Sequence, residues 1–314
     1  MRPALLLPLV PLCLLLTPLP TPVRASTPTA SSGAQSRPPW GLDRIGQRAL
    51  PLNRSYRWNA DGRGVTAYVV DTGVALGDSD LAGRAVTGVD LVDGGSAEDC
   101  NGHGTHVAGI VGGRTYGVAK GVRLVAVRVL GCDGSGPLSR VLAGIDWVVR
   151  DHRVGAPAVA NLSLGGAPSK AVDDAVRALV RDGVTVVVAA GNGDDAGRAV
   201  DACSTSPARA HLAVTVSATD RHDTRPGWAD TGRCVDLFAP GVAVRSDWLG
   251  GATKVLSGTS MAAPHVAGAA AVYLSTHPSA TPTQVRAALV RAATTGVVQQ
   301  AGAGSPDRLL RSGG

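Results

Sequence analysis

Short apolar runs alternate along the chain with segments whose apolar residues recur at helical spacing. The apolar runs are rich in β-branched residues, lie between turn residues and predict buried strands. They cover residues 65–71, 124–129, 159–164, 184–189, 212–216 and 235–238, and helices are predicted over 138–150, 171–181, 262–275 and 283–293. This alternation predicts an α/β fold with a mostly parallel sheet, helices on both faces and functional residues at the carboxyl ends of strands.

The first 25 residues predict a secretory signal peptide. Their apolar run, residues 4–19, is interrupted by prolines and is too short to span a membrane, which needs ~20 residues. Residues 23–25 match the small-residue cleavage pattern. Cys13 suggests a lipoprotein as the alternative. A lipoprotein signal has a small residue directly before its cysteine, however, and Leu12 is bulky. We therefore expect a secreted, extracellular protein without a membrane span after the leader is removed.

The rest of the chain predicts one domain over residues 38–314. Residues 26–37 contain only Ser, Thr, Pro, Ala, Gly, Gln and Arg, and twelve such residues are too few to form a packed domain. After residue 40 there is no linker, no internal repeat and no change in composition. One folded unit is therefore the simplest account.

Composition and charge exclude several classes of protein. Hydrophobic residues make up 44% of the 314 residues and charged residues 17%, which excludes a disordered chain. Aromatic residues make up only 3%, so a stacking surface for single-stranded nucleic acid is not expected. The net charge of +6 includes Arg2 and Arg24 of the leader. Such a small positive charge does not indicate nucleic-acid binding, and we expect no nucleic-acid partner.

Four cysteines remain when Cys13 leaves with the leader. An even count in an oxidising compartment predicts two disulfides, for which three pairings exist. We favour the nearest-neighbour pairing, Cys100 with Cys132 and Cys203 with Cys234. A metal site is the alternative, but the chain contains no C-x-x-C spacing.

Ser260 lies where a glycine-containing turn enters a predicted helix. Residues 257–265 are S-G-T-S-M-A-A-P-H, with the proline expected in the first turn of the helix. The unpaired N–H groups at a helix N-terminus favour developing negative charge, which suits a hydroxyl nucleophile. Taken alone, however, a serine at this position is more often a helix cap.

A histidine and an aspartate lie in two further turn segments. His103, within residues 101–109, also stands where a turn enters a helix, and an imidazole can take and return a proton near neutral pH. Asp71 ends the first strong strand, so its carboxylate is expected at the carboxyl end of that strand. If Asp71 lies next to the histidine, its carboxylate would orient the imidazole. Considered alone, an aspartate at this position is more simply interpreted as a turn residue.

Together these segments resemble the subtilisin-like serine proteases. The order Asp, His, Ser matches that family, as do D-T-G, H-G-T-H-V-A-G, G-T-S-M-A-x-P-H and residues 189–192, A-A-G-N. The resemblance implies a three-layer fold and a serine endopeptidase that forms an acyl-enzyme. It implies Ser260 as nucleophile, His103 as general base and then acid, Asp71 as orienting carboxylate and Asn192 as donor to the oxyanion.

Within that family the chain most resembles the proteinase K branch, in its aqualysin-like bacterial form. Residues 40–45, W-G-L-D-R-I, and Cys100 three positions before His103 carry this likeness, which implies the same cysteine pairing. Secreted members usually carry a domain-sized propeptide, for which residues 26–37 are too short. The protease then either folds unaided, or is assisted by a separate chain, or does not mature well. A propeptide or inhibitor that acts in trans is the candidate partner, and we expect a monomer.

Glycine-rich segments match the positions where the family binds substrate. Glycines let an extended peptide approach the main chain closely. The candidate substrate-binding residues are Gly134, Ser135, Gly136, Ser163, Leu164, Gly165, Ala190 and Gly191. Small residues at 189–191 predict a roomy apolar pocket for the side chain before the cleaved bond, and hence a preference for aromatic or large aliphatic residues there.

No cofactor is expected for catalysis, but the resemblance implies structural calcium. Asp236 matches a carboxylate that supports a calcium ion, with carbonyl groups near His211 and Ala213 as partners. Asp43 and Gln47 resemble a second family site. There Gly46 replaces an aspartate, which weakens that site.

Two other classes of function compete with the protease. A metallohydrolase could use His103 and His106, but their H-x-x-H spacing lacks the glutamate base and a third ligand. We interpret His106 instead as a packing residue. A non-catalytic binding protein on a protease scaffold is the second alternative, and the presence of all four catalytic residue types argues against it.

Overall fold

The computed structural model describes residues 31–313. The predicted signal peptide, residues 1–25, lies outside them. Within the described part of the chain no helix is long and apolar enough to cross a membrane.

The described chain contains six helices and thirteen strands, together with two short 3₁₀ turns. The strands are β1 Gly33–Ser36, β2 Ser55–Trp58, β3 Thr66–Asp71, β4 Ala85–Asp90, β5 Arg123–Arg128, β6 Ala158–Leu162, β7 Thr185–Ala189, β8 Val214–Thr219, β9 Leu237–Pro240, β10 Val244–Asp247, β11 Thr253–Leu256, β12 Thr294–Thr295 and β13 Arg308–Leu309. The helices are α1 Trp40–Ile45, α2 His103–Gly112, α3 Leu138–Asp151, α4 Lys170–Arg181, α5 Thr259–Thr276 and α6 Pro282–Ala292.

A nine-stranded sheet forms the middle layer, in the order β12-β13-β9-β8-β7-β6-β3-β5-β4. All neighbouring strands are parallel except β12 and β13. Helices α2 and α5 pack against one face and α3 and α4 against the other, which confirms the predicted three-layer α/β fold. Parallel strands align their carboxyl ends, so the loops after β3, β6 and β7 meet at one edge.

Strand β3 shows why the strands read as continuous apolar runs. Its residues alternate between the two apolar cores: Ala67 and Val69 face the α2 and α5 side, and Tyr68 and Val70 face the α3 and α4 side. A strand covered on both faces needs apolar residues at every position. The helices on either side must then present apolar stripes, as α3 and α4 do.

Seven of the thirteen described strands, β1, β2, β4 and β10–β13, and the helix α1 were not predicted. The edge strand β4 carries Gly88 at a register shift and is only half-buried, which hides its pattern. Strands β10 and β11 form a partly polar hairpin, and α1 is only six residues long. Strand β1 pairs antiparallel with β2, so the folded domain includes residues 33–36, which the predicted boundary at residue 38 had excluded.

Candidate active site

Asp71 and His103 are joined by a direct hydrogen bond at the edge of the sheet. Asp71 is the last residue of β3 and His103 is the first residue of α2. The distance from His103 Nδ1 to Asp71 Oδ1 is 2.8 Å, and the same oxygen accepts from the Thr72 N–H at 2.8 Å. Asp71 is fully buried, whereas 28% of the His103 side chain is exposed. The carboxylate therefore binds one ring nitrogen, Nδ1, and the opposite edge of the ring faces solvent.

The surroundings of His103 change its affinity for a proton. Burial lowers the pKa of the imidazole, but the charge of Asp71 and its hydrogen bond raise it by more, and Asp99 adds to the rise. The net pKa is therefore above the ordinary value for histidine. This arrangement favours an imidazole that takes up a proton during a reaction.

A buried aspartate that the sequence analysis did not single out organises the turn before α2. The Asp99 carboxylate accepts from the N–H groups of Asn101, Gly102 and Thr105 and from the hydroxyls of Thr72 and Thr105. Gly102 has φ 105°, a conformation that favours glycine. The sequence did contain a signal for this role: residues 99–102 are D-C-N-G, and an aspartate before an asparagine and a glycine is typical of a turn that the aspartate side chain stabilises.

The predicted disulfides are both present in the structure. Cys100 pairs with Cys132 and Cys203 with Cys234, with Cα–Cα distances of 5.0 and 5.3 Å. The first joins the turn before α2 to the loop that carries Gly134. Within that connection, the Asn101 side-chain amide also donates to the Cys132 carbonyl at 2.8 Å. The position of the histidine is thus coupled to a predicted substrate-binding loop.

Ser260 is the second residue of α5 and lies against Ser163. Its hydroxyl donates to the Ser163 carbonyl at 3.2 Å, and its own carbonyl accepts from the Ser163 hydroxyl at 2.8 Å. Among the described residues no hydrogen bond joins Ser260 to His103. Ser163, which is hydrogen-bonded to Ser260, lines the same cavity as His103. Ser260 therefore lies beside the space that the imidazole faces.

Pro264 explains why the Ser260 carbonyl is available to Ser163. In a regular helix this carbonyl would accept from the N–H four residues later, and a proline has none. The Ser163 hydroxyl takes that place, and it in turn accepts from the Asn161 side chain at 2.8 Å. Pro264 lies in the second turn of the helix rather than in its first, because α5 begins at Thr259.

Asn192 lies three residues beyond β7 and next to the start of α5. Its side-chain oxygen accepts from the N–H and the hydroxyl of Thr259 at 2.8 and 3.0 Å. The Thr259 hydroxyl in turn accepts from the Gly191 N–H at 3.1 Å. Since the oxygen is held in this way, the exposed side-chain amide is oriented to donate beside Ser260. The Ser260 N–H lies in the first turn, where helix geometry supplies no acceptor.

The predicted substrate-binding residues line two adjoining cavities. The first, of about 680 Å³, contains Gly134, Ser135, Gly136 and Ser163 together with His103. The second, of about 480 Å³, contains Ala190, Gly191, Asn192 and Ser260. Leu164 and Gly165 border both. The structure thus brings all eight predicted binding residues together around the serine and the histidine.

A second carboxylate that the sequence analysis missed lies at the wall of the smaller cavity. Asp230 is buried, and its Oδ1 accepts from the N–H groups of Gly193 and Val200 at 3.0 and 2.8 Å. Burial raises its pKa. Its Oδ2 lies against Gly191, where a Cβ would come within 2.0 Å of that oxygen, so only glycine fits there. The pocket is therefore less apolar than its sequence predicted.

His106 packs in the interior, as predicted. It is buried, and its Nε2 lies 3.1 Å from the carbonyl oxygens of Val244 and Lys254. Burial lowers its pKa to about 4. Residues 31–313 contain no group of three or more His, Cys, Asp or Glu side chains that could hold a metal ion. The geometry therefore gives the metallohydrolase alternative no support.

The residues around Asp236 do not fit the calcium ion that the family resemblance implies. One Asp236 oxygen accepts from the Thr215 N–H at 3.0 Å, and the other accepts from the Arg286 guanidinium through Nε at 3.1 Å and through Nη2. At the second predicted position, Asp43 accepts from the N–H groups of Asn53 and Arg54 at 3.2 and 2.8 Å. Calcium binding stays a prediction, and neither carboxylate faces an open set of oxygen ligands.

Comparison with known proteins agrees with this geometry. The Subtilase family model, peptidase S8, matches residues 62–311. The chain is 54% identical over 291 residues to the "Extracellular serine proteinase" of Thermus sp. (strain Rt41A), covering 92% of this chain and 69% of that protein. It is 52% identical over 287 residues to the "Alkaline serine exoprotease A" of Vibrio alginolyticus, covering 91% of this chain and about half of that protein, 52%.

A solved structure extends the likeness to three dimensions. It is described as the crystal structure of a cold adapted subtilisin-like serine proteinase and superposes with a TM-score of 0.84 at 50% sequence identity. The match covers 88% of this chain and 99% of that one. The chain belongs to the subtilase family of serine peptidases.

Proposed function

We propose that the chain is an extracellular endopeptidase that cleaves peptide bonds with Ser260, His103 and Asp71. The observation that carries the proposal is the 2.8 Å hydrogen bond from His103 to the buried Asp71, next to the two adjoining cavities of which the smaller contains Ser260, the second residue of α5. Membership in the subtilase family supports the same reaction. The names of the Thermus and Vibrio relatives, an extracellular proteinase and an exoprotease, agree with hydrolysis of proteins or peptides.

In the first step the Ser260 hydroxyl attacks the carbonyl carbon of the substrate. The hydroxyl leaves the Ser163 carbonyl and turns toward His103, whose Nε2 takes its proton as the new C–O bond forms. Asp71 fixes the tautomer with the proton on Nδ1 and stabilises the imidazolium that results. A raised pKa of His103 strengthens it as the base for this transfer.

The negative charge that develops on the substrate oxygen needs fixed donors. The Asn192 side-chain amide, held by Thr259, and the Ser260 N–H at the helix start supply two of them. His103 then returns its proton to the leaving amine, and the C–N bond breaks to leave an acyl-enzyme on Ser260. A water molecule activated by His103 hydrolyses the acyl ester and releases the second product.

Covalent labelling tests the role of Ser260. A fluorophosphonate should react with the folded wild-type chain, and fragment mass spectrometry should find the added group on Ser260, because only an activated serine displaces fluoride at neutral pH. The heat-denatured chain is the control and should remain unlabelled. Labelling of another serine, or proteolysis without labelling, would contradict the assignment.

We further propose that the smaller cavity receives the side chain before the cleaved bond and prefers aromatic or large aliphatic residues. Its volume of about 480 Å³ lies within the range of small-ligand pockets, and Ala189, Ala190 and Gly191 form an apolar wall without bulky side chains. Asp230 and the exposed Asp195 are the carboxylates there that would favour a cation instead, and Asp230 is the buried one. Its Oδ1 is already held by two backbone N–H groups, which leaves Oδ2 as the competing contact.

A set of chromogenic peptides that differ only in the residue before the cleaved bond checks this preference. Phe and Leu substrates should have kcat/KM at least about tenfold above those of Lys and Asp substrates, because burying an apolar side chain is worth about 1.5–3 kcal/mol. The Asp230→Asn variant is the matched control. A Lys preference that disappears in that variant would assign the selectivity to the carboxylate and refute the apolar pocket.

The remaining expectations about partners stay predictions. Protein or peptide substrates follow from the family. A propeptide or inhibitor that acts in trans and a monomeric state rest on the sequence resemblance alone.

A further inference from the structure

The Arg286 guanidinium bridges two of the groups that the family resemblance assigns to a calcium ion, the Asp236 carboxylate and the His211 carbonyl. It donates to Asp236 Oδ1 through Nε and Nη2, and its Nη1 donates to the His211 carbonyl at 3.1 Å. Asp236 is 8% exposed, and its other oxygen is held by the Thr215 N–H. The carboxylate and the carbonyl that an ion would need are therefore both occupied by one side chain of this protein.

We propose that Arg286 replaces the calcium ion at this position, so that the chain binds no metal at Asp236. Arginine keeps its positive charge throughout the accessible pH range, and its planar group offers several donors in a fixed geometry. Such a group compensates the buried carboxylate as a cation would, without an ion that can dissociate. The contact is also charge-assisted, which makes it stronger than one between neutral groups.

The other charged groups near His211 are already paired. His211 borders a cleft together with Arg177 and Arg209, which are paired to Asp174 and Asp173 at 2.8 and 2.7 Å. A calcium ion at Asp236 would have to displace the Arg286 guanidinium from the carboxylate and from the His211 carbonyl.

The replacement also connects parts of the fold that are distant in sequence. Arg286 belongs to α6, His211 lies in the loop before β8, and Asp236 directly precedes β9. One side chain thus attaches the carboxyl-terminal helix to two central strands. An ion at the same place would hold the loop and the strand but would not bind α6, which would then be held by the apolar packing of Val285 and Leu289.

The second predicted calcium position is closed in a comparable way. Gln47 donates through its side-chain amide to the carbonyls of Ala49 and Pro51 at 2.6 and 2.8 Å, and its oxygen accepts from the Asn53 N–H. Asp43 accepts from two further N–H groups of the same loop. Hydrogen-bond donors of the chain therefore occupy the oxygens that would otherwise coordinate a metal.

Calcium titration tests the replacement directly. The Ser260→Ala protein, which prevents self-digestion, is freed of metal with a chelator and titrated with CaCl₂ by calorimetry, alone and with Asp236→Asn. We expect the same number of bound ions in both proteins, because Asp236 is not a ligand. One ion fewer in the Asp236→Asn protein would overturn the proposal, whatever binds elsewhere on the chain.

Thermal unfolding of arginine variants gives an independent measurement. Arg286→Ala should lower Tm by about 2–4 °C, whereas Arg291→Ala, an exposed arginine of the same helix, should leave it unchanged. Millimolar CaCl₂ should raise Tm of the Arg286→Ala protein more than that of its parent, because only the variant exposes the carboxylate and the carbonyl to an ion. A parent Tm that rises with calcium at least as much as that of Arg286→Ala would contradict the replacement.

Discussion

Replacement of Ser260 by alanine is expected to abolish casein hydrolysis. The variant lacks the only proposed nucleophile, and kcat should fall by about 10⁶-fold, a magnitude known from subtilisin itself. Affinity for substrate should change little, because the eight binding residues and Asn192 remain in place. Turnover of casein by equal amounts of wild-type and Ser260→Ala protein measures the effect.

The Ser279→Ala variant is the matched control for this experiment. Ser279 is exposed on the loop after α5 and takes no part in the site, so full activity is expected. Circular dichroism should show that both variants are folded, which separates loss of the nucleophile from loss of structure. Casein turnover by folded Ser260→Ala at more than about one hundredth of the wild-type rate would contradict the proposed mechanism, which allows only a much smaller residual rate.

Replacement of Asp71 by asparagine should lower kcat by about 10⁴-fold. The side chain keeps its shape, but its amide can donate to His103 Nδ1 and thereby stabilise the tautomer that cannot accept the Ser260 proton. The variant should therefore keep KM near the wild-type value while kcat falls. Steady-state kinetics on one chromogenic peptide separates these two parameters.

The pH dependence of the same variant distinguishes an orienting role from a purely structural one. His103 must be neutral to act as a base, so wild-type kcat/KM should fall as the pH drops through its raised pKa. Removing the negative charge of Asp71 lowers that pKa, which should shift the acid limb of the residual activity to lower pH. An unshifted acid limb would contradict the electrostatic role of Asp71, even if activity is lost.

Much of the fold was predictable because its strands are buried on both faces. Strand β3 is apolar from end to end, and α3 and α4 carry clear apolar stripes, so their types and approximate bounds were predicted correctly. Strand β4 and the β10–β11 hairpin were missed, since an edge position or a partly exposed face removes the apolar signal. The start of α5 was placed three residues too late, because its first turn contains glycine-flanked polar residues.

In the site, the sequence was informative about residue types and much less about their contacts. The motifs named Asp71, His103, Ser260 and Asn192, and all four lie around the same edge of the sheet. Asp99 and Asp230 were missed. The sequence around Asp99 indicates a turn supported by its side chain, but it does not indicate the contact with the Thr72 hydroxyl, 27 residues away. Asp230 accepts from the N–H groups of Gly193 and Val200, 37 and 30 residues away, which only the folded chain brings near.

By itself, the sequence of this protein determined the alternation of strands and helices, the identity of the reactive side chains and the four cysteines that pair. These features depend on local periodicity and on residue chemistry. Only the tertiary structure decided that Asp99 joins the turn before His103 to Thr72, that Asp230 borders the substrate pocket and that Arg286 lies where calcium was expected. These outcomes depend on distances between segments far apart in the chain, and such distances arise from packing rather than from local pattern.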